Sequence, residues 1–165
     1  MTPAITLEEL LAWNHEAAAF WNTYLQDNPD ALELQCGIGG AITVQDLVSH
    51  IWAVELRWGQ RIAGHPETPR EDLPNGPLYA LYGLHEQAFR IFQTLLNDPT
   101  QNWDATRTMA YDWLPPHART PSLRKLAAHA LFHSQRHWAQ LATLVRAAGF
   151  PSAFQGDLLF SSGLS

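Results

Sequence analysis

The chain has a single cysteine, Cys36, among 165 residues. One thiol makes no intrachain disulfide and no thiolate metal cluster, so the fold has to rest on an apolar core. Charge is scarce as well. Ten Lys and Arg stand against 16 Asp and Glu, a net −6, with no basic run. That balance argues against gripping a phosphate backbone, and no nucleic-acid partner is expected. No window approaches the roughly 18 apolar residues of a membrane span. Residues Met1 to Ala4 lack the basic and apolar regions of a signal peptide. A cytoplasmic protein with no membrane partner is the simplest expectation. Strand patterns, repeats and low-complexity segments are missing too.

Histidine and tryptophan are plentiful, at eight and seven residues. The length suits one domain, 1–165, large enough to bury a core unaided. Thr6-Leu7-Glu8-Glu9 is a capping box, and from it a helix runs to about Gln26, with Leu10, Leu11, Asn14, Ala17, Ala18, Trp21 and Leu25 on one face. Thr43-Val44-Gln45-Asp46 is a second box, opening a helix that Gly64 stops. Pro77 suits the first turn of a third helix, reaching about Leu96, with His85 on its apolar stripe. Ser122 to Ala148 is the fourth, closed by Gly149. Four long helices without strands predict an all-α four-helix bundle. The connections are too long for tight hairpins, which leaves the up-down order open. The aromatic connection Thr100 to Arg119, with Trp103, Tyr111 and Trp113, is expected to cover a pocket. In the tail, Asp157 to Phe160 is expected to form one docked helical turn.

The fourth helix carries the chemistry. His129, His133 and His137 recur every fourth residue, on one face. His133 and His137 can reach a common point, the geometry by which one helix gives two ligands to a metal. Helical spacing alone also suits two core histidines, and both readings stand at this stage. His129 lies about 12 Å along the axis from His137, too far to share one ion, and is expected beside the site or in a pocket wall. A third ligand must come from another helix. His15, His50 and His85 are candidates; in an antiparallel bundle His50 comes closest to His133 and His137. His15 and His85 have no spaced partner and read as core residues, and His65 and His117 as exposed loop residues. Asp46 has two readings, a helix cap or a carboxylate orienting His50.

Leu126 to Leu141, with its three spaced histidines and Gln140, resembles the last long helix of the DinB/YfiT-like superfamily, whose pattern there is roughly L-x-H-x-x-x-H-x-x-x-H-R-G-Q-I. Asp46 to Ile51 resembles that superfamily's second-helix motif, and Gly149 to Phe160 its ending. The resemblance implies a four-helix bundle with a metal held by His50, His133 and His137, and it places Gln140 near the site. Trp138 and Ala139 depart from the family's Arg-Gly. Arg136, about 100° round the helix, is no clear replacement for that missing base. Three neutral imidazoles suit Zn²⁺ or Ni²⁺ rather than Mg²⁺ or Ca²⁺. They leave the ion's charge uncompensated, so the open side should take hydroxide, carboxylate or thiolate. Some superfamily members are thiol-dependent S-transferases, which implies a low-molecular-weight thiol or other small molecule as substrate. A metal-dependent hydrolase and a non-catalytic metal-binding bundle are the alternatives. Aromatic-rich helix faces also raise a homodimer as an expected assembly.

Overall fold

Two threonines start two of the helices, as their spacing requires. In the computed structural model, which describes residues 5–112 and 114–163, α1 spans Leu7–Asp27 and α2 spans Val44–Ala63. Thr6 accepts from the Glu9 amide while Glu9 reaches back to Thr6, and Thr43 and Asp46 do the same for α2. Each such cap contributes about 1 kcal/mol. Gly64 ends α2 in the left-handed region at φ 73°. The third helix, α3, spans Leu78–Asn97. Pro77 is the residue before it rather than part of its first turn: its backbone is extended, and its carbonyl accepts from Ala80 and Leu81. The fourth, α4, spans Leu123–Ala147 behind a Ser122 cap.

Side-chain contacts fix the directions. Trp52 meets Tyr82 and Glu55 meets His85, so α2 and α3 run parallel. Trp13 meets Phe132 and Trp21 meets Trp138, so α1 and α4 are parallel as well. His50 meets His137 and Trp58 meets His129, which makes α2 and α4 antiparallel. The helices therefore run up, down, down, up. Around the bundle α1 neighbours α3 and α4, and α2 neighbours α3 and α4. The 64–77 connection is long because it must carry the chain back to the end where α2 began.

Two apolar clusters fill the interior. One holds the fully buried indoles of Trp21, Trp52 and Trp138, with ring centroids 5.7 and 5.8 Å from Trp138 to its two neighbours. Each indole buries on the order of 200 Å², or about 5 kcal/mol of transfer free energy. The other cluster holds Leu10, Leu11, Phe92, Met109 and Leu131. Between them lies a polar layer of Asn14, Glu55, His85, Gln135 and His137, all buried. The connection between α3 and α4 packs on the second cluster through Trp103, Met109 and Tyr111. Backbone bonds Arg107 to Pro121 and Met109 to Arg119 tie it to the approach to α4. The tail forms a turn at Leu158–Phe160. Gly156 accepts from the Trp13 indole, and Ser162 bonds Glu16. Trp113 and Met1 to Ala4 lie outside the described residues. No helix among the described residues is long and apolar enough to cross a membrane.

Candidate metal centre

Antiparallel α2 and α4 bring His50 opposite His133 and His137. One ring nitrogen of each lies within 4.8 Å of the others, a set that could hold a metal ion. Ring centroids are 4.6 Å apart for His133 and His137, and 5.2 and 5.3 Å from His50 to each. His137 is buried, the other two half-buried.

The hydrogen bonds decide which nitrogens are free. His137 Nδ1 lies 2.8 Å from Gln140 Oε1. An amide oxygen only accepts, so Nδ1 carries the proton and Nε2 presents its lone pair inward. Gln140 thus stands where the resemblance placed it, orienting the ring. His133 Nδ1 is buried with no hydrogen-bond partner among the described residues. An orphaned buried nitrogen costs about 1–3 kcal/mol, a cost that a bound ion would offset where this is the nitrogen turned to the cluster.

Electrostatics keep the rings neutral, the state a metal needs. Burial pushes His133 down to about 3, assisted by His137, His50, Arg136 and His129. Burial also lowers His50, with His137, Arg70 and Arg136 acting the same way. His137 is lowered by burial against the raising effect of its Gln140 bond.

Arg136 overturns the expectation drawn from helical angle. Its Nη2 stands 3.3 Å from His137 Nε2 and donates to that lone pair. The 100° offset fixes where the side chain leaves the backbone, whereas its long stem lets the guanidinium swing back over the next turn. Arg136 and Arg70 make the rim cationic. The loop after Cys36 also closes on the site. Cys36 and Gly37 amides bond the Ile42 and Ala41 carbonyls, and Gly39, at φ 60°, lies against His137. A side chain at Gly39 would have its Cβ 3.6 Å from His137 Cε1.

Of the two readings of Asp46, the structure shows the cap: its carboxylate accepts from Thr43 and Ile42 amides and is exposed. His129 stands outside the triad, its ring 6.1 Å from His133 and 5.4 Å from Trp58, in the wall of a cavity. His65 and His117 are exposed.

His15 and His85 are not isolated core histidines. His15 Nδ1 lies 3.0 Å from His85 Nε2, and His85 Nδ1 lies 2.7 Å from Glu55 Oε2. Asn14 donates to the other Glu55 oxygen at 2.8 Å, and Gln135 donates to Asn14 at 3.4 Å. All four helices contribute to this chain. Its signal in the sequence was a polar residue inside an apolar face, Asn14 on α1 and His85 on α3; Glu55 had only its position.

No curated protein and no solved structure matches the chain. A family model matches residues 1–158, nearly the whole chain: the chain belongs to the DinB family.

Proposed function

We propose that this chain is a metal-dependent S-transferase, in which His50, His133 and His137 hold a divalent transition ion, Zn²⁺ or Ni²⁺, and a low-molecular-weight thiol is the activated substrate. The observation that carries the reading is a three-histidine cluster that no fourth side chain completes among the described residues. Structural zinc sites use four protein ligands, whereas catalytic ones leave a position open. The other core histidines are committed elsewhere, His15 to His85 and His85 to Glu55.

Charge favours a thiolate. The three imidazoles are neutral, and Arg70 and Arg136 add positive potential at the rim. When bound, a divalent ion lowers the pKa of a coordinated thiol, so that it is deprotonated at neutral pH. Gln140 fixes the tautomer of His137, and burial holds His133 unprotonated. The guanidinium of Arg136 suits a carboxylate on the incoming thiol. Hydrolysis is less well served. Asp46 is taken up in a cap and Glu55 in the core, so neither stands at the site as a base for water.

Elemental analysis of untagged protein, purified without a nickel column, tests this beside the His50→Ala/His133→Ala double variant. About one ion per chain is expected, with none in the variant. Thiol conjugation to a panel of electrophiles should then require both the metal and the thiol. Ester hydrolysis at full rate without thiol would replace the reading with a hydrolase. No metal under any loading condition would end it.

A further inference from the structure

Beyond the triad, the seam between α2 and α4 continues into a second feature. On α2, His50, Val54 and Trp58 follow at four-residue intervals. On α4, His137, His133, His129 and Lys125 descend past them in the opposite direction. Ring contacts trace the seam: His50 meets His137 edge-on and His133 at a tilt, His133 lies tilted beside His129, and His129 is edge-on to Trp58. Where it passes Trp58 the seam widens into a cavity of about 240 Å³. Trp58, Met109, Tyr111, Leu114, Ala118 and His129 are among its walls, with Lys125 at the mouth.

This cavity is preformed. Arg61 lies over both the Trp58 ring (4.7 Å) and the Tyr111 ring (5.3 Å), and donates to the Tyr111 hydroxyl at 2.7 Å. Glu67 also holds the Arg61 guanidinium. The far wall belongs to the connection before α4. Besides the Arg107 and Met109 bonds, it is pinned where Leu123 donates to Ala105 and Arg124 to Trp103. Apolar walls that are already assembled need no ordering on binding, which favours affinity. Sites for drug-sized ligands run about 300–1,000 Å³; this one is smaller and fits one ring system or a branched chain. Eight residues separate His50 from Trp58, about 12 Å of helix.

We propose that this cavity binds the uncharged aromatic or branched-aliphatic end of the organic substrate whose reactive end lies at the three histidines. The proposal deepens the S-transfer reading and rests on it for the location of the reactive end. It names the second substrate as an elongated molecule with an apolar end, the exposed His129 imidazole lying beside its middle. The cationic rim at Arg136 and Arg70 is left to the thiol.

The sequence supplies its own reporter. Met109 lines the cavity, and Met1 is the only other methionine. With methionine methyls labelled with ¹³C, the metal-free chain is titrated with 2-naphthol, a neutral bicyclic ring. A saturable shift of the Met109 methyl is expected while the Met1 methyl stays in place. Ala118→Trp, which fills the cavity from a surface turn, should raise the midpoint about tenfold or more, and Leu114→Trp should do the same from another position on that wall. His133→Ala should leave it unchanged. A Met109 methyl that does not move up to the solubility limit of 2-naphthol would overturn the proposal. So would a midpoint within about twofold of the parent in both tryptophan variants. Because the titration uses no metal, the two readings fail separately. Metal uptake without a Met109 shift removes the cavity alone; a Met109 shift in a chain that takes up no metal removes the metalloenzyme alone.

Discussion

Two clusters of histidines lie at the same level of the bundle, and they differ in what completes them. His15 and His85 form a line that ends on a carboxylate: His85 donates to Glu55, the facing nitrogens of the two rings hydrogen-bond to each other, and Asn14 and Gln135 satisfy the rest. His50, His133 and His137 have no carboxylate. Their nitrogens converge instead of pairing, one is buried without a partner, and another is met by a guanidinium that any cation must displace. The first cluster is complete from within the chain. In the second, satisfaction must come from outside it. Number and burial of histidines do not separate a core cluster from a binding site; the direction of the lone pairs does.

The largest expected effect falls on the closed cluster. Glu55→Ala leaves His85 and Asn14 buried without their acceptor, a loss of about 3–5 kcal/mol by analogy with broken buried pairs. For a chain this long that lowers Tm by roughly 10 °C or more, readable by calorimetry, while metal per chain stays at the parent value. Loss of metal together with stability would mean that the clusters act as one unit. His137→Ala should do the reverse: metal affinity falls about a thousandfold or more, equivalent to about 4 kcal/mol. The metal-free chain should melt closer to the parent than Glu55→Ala does. Isothermal titration and thermal melts on the same samples separate the two patterns. Retention of parental metal affinity in His137→Ala would remove it from the site.

The difference between the clusters also explains what could be read from the sequence. Thr6, Thr43, Ser122, Gly64 and Gly149 act on their own helix ends, through local bonds that a one-dimensional pattern records. His133 and His137 are one helical turn apart, so their convergence was visible too, and family resemblance supplied His50. Glu55 meets Asn14 and His85 from 41 and 30 residues away, and His15 meets His85 from 70. No periodicity encodes such pairings; they depend on the up-down-down-up order, which long connections leave undetermined. Arg136 reaches the site against its helical angle, which describes a Cβ direction rather than the reach of a long side chain. The Gly37 to Gly40 turn was legible as a break in helix but not as a wall of the site, since its contact with His137 is tertiary.

Smaller effects sharpen the contrast within the open cluster. Gln140→Leu removes the acceptor that fixes the His137 tautomer and should weaken metal binding about 10–100-fold, with the stoichiometry kept. Acid should tell the same story. Burial and the neighbouring positive charges hold His133 at about 3, and lower His50 and His137 below the ordinary value. Between those folded values and about 6.5, the unfolded chain binds more protons than the folded one. Stability of the metal-free chain is therefore undiminished by these groups above about pH 7 and falls as pH drops through that window. Urea unfolding at about pH 7 and about pH 5 measures the slope, and His133→Ala should flatten it. An unchanged slope would mean that these imidazoles are not the groups resisting protonation.

Arg136→Gln gives the smallest effect and the most discriminating sign. The guanidinium donates to the His137 Nε2 lone pair, and its charge acts on His50, His133 and His137 together. A cation entering the triad must break that contact and work against that charge. At an effective dielectric near 20, one unit charge several ångströms away opposes a divalent ion by a few kcal/mol at most. Arg136 is exposed, so solvent and salt reduce the figure. The variant should therefore bind Zn²⁺ more tightly than the parent, by about three- to tenfold at low salt, and the gain should shrink as salt is added. Affinity of the metal-loaded protein for a carboxylate-bearing thiol should move the other way. If Zn²⁺ affinity falls instead, Arg136 acts as a support for His137, and its place at the rim says nothing about the charge of the substrate.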